Sequence, residues 1–352
     1  MKSKYLLLFL SIALSSCMDQ EQYTFREGDI EPLIVLNALW ESADTTQTID
    51  VRRTGLVATS EVKDYQSSLT VNGSVIDPTE KGTYHYQPQP GDEVELSVQV
   101  GPEQVSASAS VPQPVIIEGI DTVHVFISTD KVFQRTQECV RFMIHLRLPE
   151  GAEGTQYFRL AYTGMVRKFM NCVVEGGRIK SVDYYYDYFN DYYYDSDMAM
   201  CENRNMMADH SDEFPIDIAR SVPNLYGLFS SRSFVDGRYT LIIDVPNRRK
   251  KFDTGVEFRD RWRSYSVTFD PSIEHRFRIL TVPQIEYNYL WSVAALTEMY
   301  DADDLVSNPP IVPSNINGGT GIFSIGAAAE ATFEGQGEEL PVVGDSLVIT
   351  ND

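Results

Sequence analysis

The run EVELSVQVGPEQVSASASV occupies residues 93–111. Val94, Leu96, Val98 and Val100 fall at every second position, so an extended chain carries all four on one face. Gly101-Pro102 reverses the chain, and Val105, Ala107, Ala109 and Val111 repeat the alternation on the way back. Period-two patterning on both sides of a turn predicts an antiparallel pair with one buried face.

The same signature extends outward. Upstream, Ser68 to Ile76 places Asn72-Gly73 between two alternating segments, the strongest short hairpin signal, because both residues accept positive φ. Leu33 to Leu36 and Thr48 to Arg52 are further strand candidates, and Gln87-Pro88-Gln89-Pro90-Gly91-Asp92 is a turn. Together these predict an immunoglobulin-like β-sandwich over residues 31–112, closed by the proline-rich linker Val111-Pro112-Gln113-Pro114. Downstream, Val115 to Val125, Cys139 to Leu148, Tyr157 to Tyr162, Phe234 to Ile243 with its Asp236-Gly237 turn, and Glu274 to Leu280 predict a second β-rich domain over 113–349. One segment has a helical period. Ile285, Tyr289, Val293, Leu296 and Tyr300 recur at three to four residues behind Thr281 and Pro283, predicting an amphipathic helix near 283–300 with Thr281 as its cap. The fold class is thus mainly β, a sandwich followed by a β-rich domain with one helix.

The chain opens MKSKYLLLFLSIALSSC. Two lysines, an apolar run of about 10 residues and small residues up to Cys17 form a secretory signal peptide over 1–16, too short for the ~20 residues of a spanning helix. Leu14-Ser15-Ser16-Cys17 matches the bacterial lipobox, so Cys17 is expected to be acylated, palmitate included, and to hold the protein to a bilayer through the tether 17–30. Asp19 and Glu21 close behind the lipid resemble the export signals of surface-exposed lipoproteins, and that resemblance implies the outer face of the outer membrane over the periplasm. The net charge is -22, and loss of Lys2 and Lys4 with the signal peptide makes it -24. Such an acidic balance argues against a nucleic-acid partner.

Several motifs together resemble one family. They are the lipobox, the Tyr84-x-Tyr86-x-Pro88-x-Pro90-Gly91-Asp92 turn, Val105 to Pro112, Leu228 to Gly237, and Asn315-Ile316-Asn317-Gly318-Gly319-Thr320-Gly321-Ile322-Phe323. The chain is similar over nearly all its mature length to the domain of unknown function 4249 family of Bacteroidetes. The resemblance implies an outer-membrane lipoprotein that accompanies a TonB-dependent receptor of the SusC type, and it carries over no catalytic residue.

Outside the matching motifs lies DYYYDYFNDYYYDSD, residues 183–197. Tyrosine supplies large contact area, a hydroxyl and little side-chain entropy to lose, so Tyr184, Tyr185, Tyr186, Tyr188, Tyr192, Tyr193 and Tyr194 are the candidate ligand- or partner-binding residues, read as an insertion at the tip of a long hairpin. Asp191, Asp195 and Asp197 could supply oxygens to a calcium ion, although Ala199 breaks the EF-hand pattern. Cys172 and Cys201 flank the stretch and could pair in an oxidising compartment, with Cys139 left over. The glycines near 318–321 read as a structural turn, since Ser324 stands where a phosphate loop needs glycine. His85, His124, His145, His210 and His275 form no metal motif, and no nucleophile elbow is present. The expected function is therefore non-enzymatic: a ligand-binding or accessory lipoprotein for TonB-dependent uptake. The alternatives are a structural or adhesive surface protein and, below it, a surface hydrolase.

Overall fold

The computed structural model describes residues 31–55, 59–130, 135–175, 178–190, 197, 199–200, 224–246, 252–260, 263–269, 273–301 and 311–335. The first strands are β1 (Ile34–Glu41), β2 (Gln47–Thr48), β3 (Asp50–Arg53), β4 (Ser60–Glu61), β5 (Gln66–Val71) and β6 (Ser74–Ile76). Asn72 and Gly73 join the last two at φ of 50° and 79°, the left-handed pair that a tight hairpin turn needs. After β7 (Thr83–Tyr84), β8 (Glu93–Val100) and β9 (Glu103–Ser110) complete a four-stranded sheet in the order β6-β5-β8-β9. Val94, Leu96, Val98 and Val105 are at most 1% exposed, so the alternating face is the buried one.

The turn before β8 owes its composition to one carboxylate. Asp92 accepts from the Tyr86 hydroxyl at 2.7 Å, the Gln89 amide at 3.0 Å and the Asn72 side-chain amide at 2.7 Å, while Asn72 accepts from the Glu93 amide. Partial burial works against the charged form, but these donors outweigh it and hold the Asp92 carboxyl below its usual range. The tyrosine-proline-aspartate motif is thus a structural splice between two hairpins.

The remaining strands are β10 (Ile116–Asp130), β11 (Arg135–Arg147), β12 (Tyr157–Glu175), β13 (Arg178–Asn190), β14 (Leu228–Ser230), β15 (Arg238–Pro246), β16 (Phe252–Asp260), β17 (Arg263–Phe269), β18 (Ile273–Val282) and, after helix α1 (Gln284–Asp301), β19 (Thr320–Gly335). An eight-stranded sheet runs β13-β12-β18-β19-β1-β3-β4, with β14 also on β12. β1 and β19 are parallel, and the other pairs in this sheet are antiparallel. A three-stranded sheet, β10-β11-β15, packs on its β12-β18 half.

β19 joins the two halves. Thr320 to Gly326 pair with β1, and Ala327 to Gly335 pair with β18. Phe323 and Ile325 belong to the core under Trp40, Leu36 and the four-stranded sheet, whereas Ala329 and Phe333 pack on the core of Phe142, Phe158 and Phe277. On the first pass of the chain the core under Trp40 ends at Val111 and the second core starts at Val115, and the last strand then spans both. The glycines at the start of β19 serve close backbone contact, Gly318 in the turn before it and Gly321 as its second residue. A Cβ on Gly318 would meet the Gln104 carbonyl oxygen at 2.7 Å, and one on Gly321 would meet that of Leu36 at 2.2 Å.

α1 occupies the expected range, with two corrections. Thr281 belongs to β18, and its hydroxyl accepts from the Val115 amide at 3.0 Å, so it does not cap the helix. The buried stripe is Tyr287, Leu290, Trp291, Ala294 and Ala295, rotated from the predicted Ile285, Tyr289, Val293 and Leu296, which are half-buried. Tyr287, Leu290 and Trp291 of this face pack in one cluster with Leu228, Leu280 and Val282 of the sheet.

The two sheets of the second core meet through aromatic contacts at both ends. At one end Phe142 of β11 meets His275 and Phe277 of β18 at ring-centroid distances of 4.7 and 4.9 Å. At the other, Phe158 of β12 stacks on Phe234 at 5.6 Å, and Phe234 stacks on Tyr239 of β15 at 5.3 Å.

Candidate functional site

Tyr184, Tyr185, Tyr186 and Tyr188 lie in β13, the outermost strand of the eight-stranded sheet. They pair with Phe169, Lys168, Arg167 and Met165 of β12. The expected hairpin tip is therefore corrected to a returning strand. Glu175 pairs with Arg178, so the sequence Gly176-Gly177 links the strands, well ahead of the tyrosines. That Gly-Gly pair is the hairpin signal passed over in the sequence. β18 begins at Ile273 opposite Val166, so β12 and β13 run on past it as a two-stranded ribbon. Asp191, Tyr192, Tyr193, Tyr194, Asp195 and Cys201 lie outside the described residues, as does the lipidation residue Cys17.

Asp197 closes the stretch, and it is 3% exposed. One carboxylate oxygen accepts from the Ala199 amide at 2.8 Å and the Tyr239 hydroxyl at 2.7 Å, and the other from the Ile242 amide at 2.7 Å. Ala199 and Met200 enter the second core, and the Met200 carbonyl accepts from the Asn224 amide, which with its own carbonyl also brackets Leu228. The described position of Asp197 is thus a clamp onto β15, with both oxygens taken by protein donors. The Tyr/Asp stretch begins on the edge of one sheet and ends fastened to the edge of the other.

Cys172 stands in β12 opposite Val182. Cys139 is fully buried, and burial together with the Asp244 carboxylate pushes its thiol up to about 11, the behaviour of a packing residue and not of a nucleophile. His275 is buried against Phe142, with its Nδ1 2.9 Å from the Tyr162 hydroxyl. His145 lies between Thr240 and Asp121 at 3.0 Å from each.

A polar network missed in the sequence lies where α1 meets the sheet. Glu286 is 2% exposed, accepts from the Ser324 hydroxyl at 2.7 Å and faces Arg159 at 3.4 Å. Arg159 also reaches Glu41 at 3.0 Å, and Arg278 bridges Glu41 at 2.8 Å to Glu330 at 2.7 Å. Desolvation raises the Glu286 carboxyl above its ordinary value, partly offset by Ser324 and Arg159. These residues come from five elements and share no local motif, so only the fold brings them together. Their chemistry is that of a structural ion-pair network, with every member already engaged.

Among the described residues, no group of three or more His, Cys, Asp or Glu side chains could hold a metal ion, and no helix is long and apolar enough to cross a membrane. The described arrangement places a tyrosine-rich strand, β13, at the edge of the eight-stranded sheet. No curated protein and no solved structure matches the chain. One family model does match, over residues 20–332, so the protein belongs to the family described as Domain of unknown function (DUF4249).

Proposed function

We propose that the protein is an outer-membrane lipoprotein, held by acylated Cys17 on the cell surface, that serves a TonB-dependent receptor as a ligand-binding or accessory subunit. The observation that carries this reading is the placement of Tyr184, Tyr185, Tyr186 and Tyr188 on an edge strand. An edge strand offers backbone donors and acceptors to a partner, and tyrosine is the residue best suited to contact at low entropic cost. The lipobox supplies the membrane attachment, and an anchored protein beside a transporter gains effective concentration without needing high affinity.

The test is affinity purification of the full chain from detergent-solubilised outer membrane. A TonB-dependent receptor is expected to co-purify, and replacing Tyr184, Tyr185, Tyr186 and Tyr188 with serine is expected to lower its recovery at least about tenfold, the loss of 1.4 kcal/mol or more. Substitution is preferable to deletion of 183–197, because that deletion removes the Asp197 clamp. Absence of any receptor, or recovery unchanged in the tyrosine variant, overturns the reading.

A further inference from the structure

The sheet β10-β11-β15 has two outer strands, and they are held differently. β15 is fastened: the Ile242 amide donates to one carboxylate oxygen of Asp197 at 2.7 Å, and the Tyr239 hydroxyl to the other. β10 pairs with β11 on one side, and on its other side no strand follows among the described residues. From Gly119 to Ile127 its register on β11 is unbroken, so its outward amides and carbonyls form a regular row of donors and acceptors. Exposed edges are normally blunted by lysine, by proline or by being short. β4 has two residues, β6 has three, and β9 is bridged at Ser106 by Asn317. Residues 119–127 read GIDTVHVFI, with no lysine, arginine or proline and a single acid, Asp121. Val123 is 44% exposed and Phe126 74%. An apolar, unguarded edge of this kind is a template for another strand.

The segment is complementary to itself. In an antiparallel pair centred on Val123, that residue faces its own copy, Thr122 faces His124, Asp121 faces Val125 and Ile120 faces Phe126. Ile120 and Phe126 lie an even number of residues apart in an unbroken stretch, so both stand on one face of the sheet, and each exposed Phe126 ring meets an isoleucine. No carboxylate meets a carboxylate. Moving the centre to Asp121 would set two acids opposite each other.

We propose that β10 is the pairing surface for a second copy of this chain, anchored in a facing membrane. Direction decides between facing and shared membranes. The Val115 amide meets Thr281, which pairs with Ala327, and Phe142, the partner of Thr122, touches Phe333 at 5.5 Å, so β10 runs along with β19. β1 starts at the other end of β19, where Val35 pairs with Thr320. At ~3.3 Å per residue, Thr320 to Phe333 spans about 40 Å. Antiparallel pairing about Val123 reverses one copy, so the two β1 starts stand at opposite ends, about 80 Å apart. Copies upright on one membrane point the same way, whereas copies on facing membranes point at each other. Size sets the strength. An edge ~30 Å long and ~10 Å thick buries about 300 Å² per copy, against the ~800 Å² of a stable interface. Single contacts are therefore weak, and adhesion arises from many anchored copies acting together. The inference rests on the lipid anchor proposed above and is independent of the receptor partnership, which uses β13.

The test uses the full acylated chain reconstituted in phosphatidylcholine vesicles, in two populations carrying different lipid dyes. Vesicles bearing the protein are expected to cluster with each other and not with protein-free vesicles, read by energy transfer between the dyes. Position 123 lies on the two-fold axis, so Val123→Lys against itself and Val123→Glu against itself are each expected to cluster at least about tenfold less than the parent. Mixing the Val123→Lys population with the Val123→Glu population is expected to restore clustering, which also shows that both variants fold. No clustering of parent vesicles, equal clustering with protein-free vesicles, single variants that cluster like the parent, or a mixture that does not recover overturns the proposal. Co-flotation of the protein with its vesicles reads the anchor: its absence overturns the anchor reading and this one with it, whereas co-flotation without clustering overturns this one alone. The receptor purification described above, run on Val123→Lys, reads the receptor partnership separately.

Discussion

Gly321 and Gly73 both have positive φ, 113° and 79°, yet their surroundings differ. At Gly73 an added Cβ meets nothing within 4 Å, so Gly73→Ala is expected to cost only the left-handed penalty, about 1 kcal/mol. At Gly321 the Cβ would lie 2.2 Å from the Leu36 carbonyl oxygen and 2.9 Å from Asn37 Oδ1, inside the seam between β1 and β19. Gly321→Ala is expected to cost about 3 kcal/mol or more, read from urea midpoints at constant m-value. Equal losses at the two positions would refute the close-approach argument. The Asn72-Gly73 turn was plain in the sequence because its signal is local. The role of Gly321 was half legible, since its neighbour in space is nearly three hundred residues away in the chain.

At the scale of elements, α1 shows both what pattern reveals and what it hides. Its span followed from periodicity, but its buried face did not, because apolar residues flank the helix on two stripes and only the partner surface chooses between them. Glu286 on that face titrates against the fold. Its folded-state carboxyl stands above the ordinary 4.5, so as pH rises the unfolded chain gives up the proton first, and stability is lost through that rise. Glu286→Gln keeps an acceptor for Ser324 and removes the titration. Relative to the parent, its stability is expected to grow from about pH 4 to about pH 7, measured by urea unfolding at both. A difference that shrinks over that interval would contradict the assignment. The network around Glu286 and the Asp197 clamp were illegible in the sequence for one reason: each joins side chains from several strands, and no local period records such a meeting.

For the whole molecule, the strand sequence predicted the hairpins and the two β-rich parts, and strand alternation at Phe323 and Ile325, while the joining role of that last strand went unseen. Gly321 to Ala327 are buried without a break, the mark of a central strand covered on both faces, but a short apolar run does not say which strands flank it. That strand also sets how the molecule carries load. A pull between the N-terminus and the ribbon end draws β1 backward and β19 forward, and the strands are parallel, paired at seven positions from Val35 with Thr320 to Glu41 with Gly326. Their hydrogen bonds are then sheared together and not unzipped in turn. In single-molecule pulling, handles at the N-terminus and between β12 and β13 are expected to give a higher rupture force than handles across the β8-β9 hairpin, and equal forces would show that the seam does not bear the load. The molecule is therefore stiffest along the line from the start of β1 to the far end of β12 and β13, and a load along that line is carried without opening the fold.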